Sequence, residues 1–191
     1  MENKKITFMR ENIECSGNAD VFTVEDIPII EKAYYAWKAS NEVYATYGMR
    51  RANLPELISE GLTSAMFGWP RTNGTSFSGL PASSMDLIDM ETGDMVQLKA
   101  CSTDAVHKPG PTSFGPTTEF DSLIFMHVDC ETDTINWYKL DAESYKDIKV
   151  NRTETIGDQQ KQGRRPRVTL LPKILSAGIE PFYTYEIGDH R

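Results

Sequence analysis

"MDLIDMETGDMVQLKACS", residues 85–102, decides how the rest of the chain is read. Apolar residues on either side of Thr92-Gly93 predict two short strands folded back on a tight turn. Successive side chains on a strand point to opposite faces, so Gln97 and Lys99 share one face and Leu98 points into the other layer. A hairpin closing at Thr92-Gly93 sets Asp86 against a residue near Lys99. A carboxylate, an amide and an amine then converge on one spot of a hairpin that otherwise reads as core.

That donor set suits a hard divalent cation. Mg²⁺ takes oxygen ligands and keeps several waters. Asp86 offers a carboxylate, Gln97 an amide oxygen, and the backbone carbonyl of Leu98 lies within the same reach. Lys99 beside them would orient an attacking water and offset charge developing on a phosphate. The competing reading of the same residues is a half-exposed Asp86–Lys99 cross-strand ion pair, worth less than about 1 kcal/mol.

The segment upstream bears on that choice. "NLPELISEGLTSAMFG", residues 53–68, predicts a helix with Asn53 as cap and Pro55 in its first turn. Leu54, Leu57, Ile58, Leu62 and Ala65 form its apolar face, and Gly68 stops it. Glu56 and Glu60 are four apart and stack on one face. A glutamate there would reach over the sheet end as a further oxygen ligand, with Glu60 preferred to Glu56. Otherwise Glu56 is a first-turn acid favoured by the helix dipole and Glu60 a solvated surface residue.

Outward from this centre, residues 23–49 predict a long helix with a Thr23/Asp26 capping box and Ile27, Ile30, Tyr34 and Trp37 at helical spacing. Residues 69–84, rich in Gly, Pro, Ser and Thr, read as a loop. "DSLIFMHVD" and "INWYKL" predict strands joined through residues 130–133. A short helix at 142–146, a polar helix at 154–162, and strands at "RVTLLPKI" and "PFYTYEI" complete the chain. Helix, adjacent strands, then helix and strand imply an α/β (α+β) domain with a mixed central sheet. The expected division is a helical N-terminal segment, residues 1–50, and a second unit, residues 51–191.

The 191 residues suffice for one well-buried domain, and a hydrophobic fraction of 39% with 25% charged is that of a folded, water-exposed protein. No stretch approaches the roughly 20 apolar residues that cross a bilayer, and no secretory signal is expected. Cys15, Cys101 and Cys130 are odd in number and widely spaced, which argues against a disulfide framework and for a reducing cytoplasm. The net charge of −8 argues against a general polyanion binder, so local clusters matter. "DQQKQGRRPR", residues 158–167, gathers Gln159, Gln160, Lys161, Arg164, Arg165 and Arg167, and Arg50-Arg51 forms a smaller cluster. Arginine pairs with guanine O6 and N7, glutamine with adenine, and any of these cations with phosphate. For each residue singly, a solvated basic turn competes. Asp121 reads as a strand-initial cap, His107 and His127 as structural, and Trp69 and Phe77 as base-stacking groups or core plugs.

An acid-bearing helix, then "MDLID", then "VQLKA" resembles the PD-(D/E)XK nuclease pattern, with Gln97 where an acid normally stands. "RRANLPELISEGLTSAMF", "SSMDLI", "VQLKACS" and "DQQKQGRRPRVTL", in that order across residues 50–171, resemble small type II restriction endonucleases. The resemblance is narrowest to the group that reads GCNGC sites, including BisI-like enzymes that cut only methylated sites. It implies a restriction-endonuclease-like mixed sheet flanked by helices and a bacterial enzyme cutting double-stranded DNA as a homodimer. Mg²⁺, with Mn²⁺ able to substitute, would be held by Asp86, Gln97, Leu98 and Glu60 or Glu56. Lys99 would position the attacking hydroxide, leaving a 5′-phosphate. Met85 departs from the usual proline, and neutral Gln97 removes one charge from the site. A catalytically silent DNA-binding module and a protein-interaction domain are the rival classes.

Overall fold

The computed structural model describes residues 1–81, 85–117 and 119–188. The Ser83-Ser84 part of "SSMDLI" lies outside them. A five-stranded mixed sheet, ordered β3-β4-β6-β7-β9, forms the centre. Its strands are β3 (Leu87–Ile88), β4 (Met95–Thr103), β6 (Ser122–Asp129), β7 (Thr134–Asp141) and β9 (Tyr183–Glu186). β4 and β6 run parallel, and the remaining neighbours are antiparallel.

Period-2 alternation distributes each strand between two apolar layers. Val96 and Leu98 of β4, Ile124 and Met126 of β6, and Ile135 and Trp137 of β7 face α1 (Ile27–Thr46) and α2 (Leu62–Phe67). Met95 and Cys101, Leu123 and Phe125, and Tyr138 and Leu140 face the opposite layer. There they meet β1 (Glu2–Arg10), β2 (Ile13–Val21), α3 (Ile156–Lys161) and α4 (Leu170–Ser176). The expected mixed sheet flanked by helices is therefore present, with Leu98 in the layer assigned to it. Among the described residues no helix is long and apolar enough to cross a membrane.

Two expectations about where strands lie are corrected. The first 22 residues are not helical. They form an antiparallel hairpin in which Ile6 and Phe8 are buried while Lys5 and Thr7 are exposed. Glu11 and Asn12, both at positive φ, make its two-residue turn. Second, "RVTLLPKI" is not one strand. Arg167–Val168 forms β8, paired with β5 (Thr112–Ser113), and the chain then turns into α4. Leu170, Leu171 and Ile174 recur at helical spacing and are buried together, and Pro172 is accepted in the first turn.

The helix expected from Asn53 begins later. Ile58 and Ser59 both donate to the Pro55 carbonyl, and residues Leu57–Gly61 form a single π-helical turn before α2. The Asn53 carbonyl instead accepts the Trp37 indole N–H at 3.0 Å. Gly68, at φ 68°, ends α2 as expected. Deep in the core Trp137 donates to Thr63 Oγ1 at 2.9 Å, which pins α2 to the sheet.

Candidate active site and nucleic-acid interface

The register of β3 on β4, Leu87 opposite Val96, brings Asp86 level with Gln97 at the mouth of the hairpin, two residues short of the Lys99 pairing expected from a tight turn at Thr92-Gly93, because residues 89–94 form a longer connection. The Gln97 amide N–H₂ and the Leu98 backbone N–H (2.7 Å) both donate to Asp86 Oδ2. The Gln97 nitrogen also lies 3.4 Å from the Leu98 carbonyl oxygen. It therefore sits between two of the three oxygens expected to hold a cation.

Burial pushes the Asp86 carboxyl above the ordinary carboxylate range, opposed by the Lys99 ammonium, the Leu98 N–H, the Gln97 amide and Arg71. Lys99 thus acts on Asp86 from the same region of the sheet. It is half-buried, whereas Gln97 is only 2% exposed.

Glu56 and Glu60 approach the same cleft, of about 300 Å³, which Asp86, Met85, Arg71 and Thr72 also line. Glu60 is largely buried and Glu56 open to solvent, with side-chain exposures of 17% and 74%. Burial raises the Glu60 carboxyl, and the neighbouring Asp86 and Glu56 charges push the same way, while Arg71 opposes them. Among these acids Glu60 is the one whose surroundings match Asp86.

Arg71 escaped the sequence reading. Its Nε donates to Glu60, its Nη2 lies 2.5 Å from Glu56 and its Nη1 3.4 Å from Asp20. It lies in a segment that reads as loop by composition. What fixes it there is a backbone bridge to Asp20 and a second to Leu87. No local signal in the sequence marks that pairing.

The donor chemistry fits a divalent ion of the Mg²⁺ type: one partly buried carboxylate, a backbone carbonyl, a side-chain amide and a second carboxylate across the cleft. Among the described residues no group of three or more His, Cys, Asp or Glu is placed to hold a metal.

The two basic clusters meet along a groove of about 620 Å³ that starts beside the far end of β4. Ala100 and Ser102 form its floor, and Arg50, Arg51, Lys108 and Arg167 stand on its walls. Arg50, Lys108 and Arg167 are exposed. Arg51 is not free for a ligand: it pairs with Asp104 at 3.1 Å and stacks on Trp37, 5.4 Å from the ring centroid.

The remaining members of the cluster divide. Arg165 and Lys161 are exposed at the end of α3. Arg164 is exposed but ion-paired with Glu154, whose carboxyl is pushed down to about 2 by hydrogen bonds from Asn151, Gln159 and Arg164. Gln159 is buried and donates to Glu154 at 3.0 Å, and Gln160 donates to the Gly115 carbonyl at 2.7 Å. Both glutamines brace α3, which differs from the exposed base readers that their sequence position suggested. Phe114 N–H bonds the Pro166 carbonyl at 3.0 Å, so the arginine-rich turn is tied to β5.

Other candidates resolve as scaffold. Asp121 accepts from Arg10 and from the Met95 N–H, locking the tip of the first hairpin to the sheet. Phe77 is buried beside Phe8, and Trp69 stacks on Phe67 with centroids 5.0 Å apart. Burial pushes the His127 imidazole below its ordinary range, and the ring shares a hydrogen bond with Thr103. The three cysteines are free and buried.

A model of the Bsp6I restriction endonuclease family matches residues 22–177. The type II restriction enzyme Bsp6I of Bacillus sp. (strain RFL6) is 35% identical over 159 residues, covering 82% of this chain and 85% of that protein. The matched span holds every candidate residue above except Asp20 and Arg10, which the first hairpin supplies.

Proposed function

This chain belongs to the Bsp6I restriction endonuclease family and is a type II restriction endonuclease, a site-specific deoxyribonuclease acting on double-stranded DNA; on that premise we propose that Asp86, Gln97 and Lys99 form its cutting centre. The observation that carries this reading is the convergence of Asp86, Gln97 and the Leu98 backbone at the hairpin mouth, with Lys99 acting on the same carboxylate.

Type II restriction endonucleases generally use a divalent metal, and here the ion is Mg²⁺, with Mn²⁺ able to substitute. Asp86, the Leu98 carbonyl and Gln97 would hold it, the last after a 180° turn of its amide, and Glu60 would complete the set in preference to Glu56. When bound, the ion supplies Lewis-acid neutralisation of charge on the scissile phosphate. Lys99 holds the attacking water by its lone pair and offsets the charge that grows on the phosphate oxygens. Water oxygen bonds to phosphorus as the P–O3′ bond breaks; the water gives one proton to solvent and the departing 3′ oxygen takes one from solvent, which leaves a 5′-phosphate and a 3′-hydroxyl.

Arg50, Lys108 and Arg167 carry the duplex along the groove, joined by Lys161, Arg164 and Arg165, with arginine favouring a GC-rich, GCNGC-like site. Two copies acting as a homodimer match the two-fold symmetry of such a site, and the enzyme works in the bacterial cytoplasm. Digestion of matched cytosine-methylated and unmethylated plasmids with Mg²⁺, followed by end sequencing, tests this. Discrete fragments with 5′-phosphates at one short GC-rich sequence are expected, and the two plasmids show whether methylation permits or blocks cutting. Binding without cleavage at any Mg²⁺ or Mn²⁺ concentration would overturn the reading.

A further inference from the structure

Arg71 stands among acids from three parts of the chain. Glu60 and Glu56 come from the π turn and its leading residue, Asp20 from β2, and all pair with its guanidinium. Its backbone is fixed as well: Arg71 and Asp20 exchange N–H···O bonds of 2.8 Å each. Its side chain is 16% exposed, and its charge reaches Asp86. We propose that Arg71 is a resident counter-cation that holds Glu60 in reserve, and that a divalent ion gains Glu60 only by displacing the guanidinium from it. The proposal rests on the metal-site reading of Asp86, Gln97 and Glu60.

The physical case is one of charge. Glu56, Glu60 and Asp86 line one cleft and Asp20 meets the same arginine, and without a cation between them ionised carboxylates repel and take up protons. A guanidinium supplies that cation at every working pH because it does not deprotonate. Only a competing cation can take Glu60 from it. Asp20 and Glu56 are positioned to keep the released arginine, since neither is in the proposed ligand set and Asp20 is tied to Arg71 through the backbone. The positive charge beside the site also opposes entry of a second cation. The metal-free enzyme is thereby held in a single, neutralised arrangement, at the cost of metal affinity.

Mn²⁺ binding to the full-length, DNA-free protein, measured by calorimetry and by the loss of the free-ion paramagnetic resonance signal, tests this. Arg71→Gln is expected to bind Mn²⁺ at least about tenfold tighter, because a full charge near a divalent ion has been removed. Arg71→Lys keeps the charge and should stay within about threefold of the native protein. Asp86→Asn, run alongside, reports on the underlying site. Loss of binding in Asp86→Asn with unchanged or weaker binding in Arg71→Gln overturns the counter-cation and leaves the metal site standing. Unchanged binding in Asp86→Asn overturns the metal site itself. An Mg²⁺ titration of ¹⁵N-labelled native protein needs no variant. The Arg71 Nε–H resonance should shift and exchange faster with solvent as Mg²⁺ binds, and an unmoved resonance at saturation overturns the proposal.

Discussion

The Gln97 amide and the Asp86 carboxylate face each other across the mouth of the β3–β4 hairpin, hydrogen-bonded, with Gln97 buried and Asp86 partly so. A neutral group thus fills the place from which a second acid would repel Asp86. Gln97→Glu supplies that acid. It is expected to tighten Mn²⁺ binding about tenfold through the added ligand charge. It should also move the acidic limb of the pH–rate profile upward, because a second carboxylate raises the pair's titration. Calorimetry and single-turnover rates across pH check both, and an unmoved limb would contradict the pairing.

Asp86→Asn separates stability from function. Burial holds the folded Asp86 carboxyl above its unfolded value, so the native state binds that proton more tightly. Stability from this group is then lost as pH rises through the folded titration, and the penalty is fully present above it. Asparagine cannot ionise. The variant should melt at or above the native temperature at pH 8, with the difference closing on acidification, while cleavage falls at least about a thousandfold. A lower melting temperature at pH 8 would contradict the desolvated carboxylate.

The two adjacent arginines of the smaller basic cluster should behave differently. Arg50→Ala and Arg167→Ala each remove a groove cation and should flatten the salt dependence of DNA affinity by about 0.9 in log–log slope per phosphate contact. Arg51→Ala should leave the slope alone and lower stability by about 1 kcal/mol, since its guanidinium is committed to Asp104 and Trp37. Fluorescence anisotropy across salt and thermal melting distinguish them. A slope change in Arg51→Ala without destabilisation would contradict the assignment.

Thr63→Val tests the support beneath Glu60. The hydroxyl accepts the buried Trp137 indole N–H and donates to the Ser59 carbonyl at 2.6 Å, within the turn that carries Glu60. Leaving those groups unpaired should cost about 1–3 kcal/mol by urea denaturation. Stability unchanged within about 0.5 kcal/mol would contradict that role.

Residues that interact with near neighbours were legible. Thr92-Gly93 marked the existence of the hairpin though not its register, strand alternation put Leu98 opposite Gln97, and spacing stacked Ile27, Ile30, Tyr34 and Trp37 on one side of α1. What escaped depends on distant pairing. Arg71 takes its meaning from Asp20, fifty-one residues away. Gln159 and Gln160 look like exposed readers until Glu154 and Gly115 are seen to engage them. The first hairpin did carry a local signal, Ile6 and Phe8 alternating with polar residues, but lysines and glutamates diluted it.

Lys99→Ala, assayed by single-turnover cleavage of a duplex carrying the recognised site at saturating Mg²⁺, tests the cutting centre most directly. With Mn²⁺ and DNA binding retained, the rate should fall about 10²–10³-fold, the usual effect of losing one group that stabilises transition-state charge. Cleavage within about threefold of the native rate would show that the amine beside Asp86 takes no part in the chemistry.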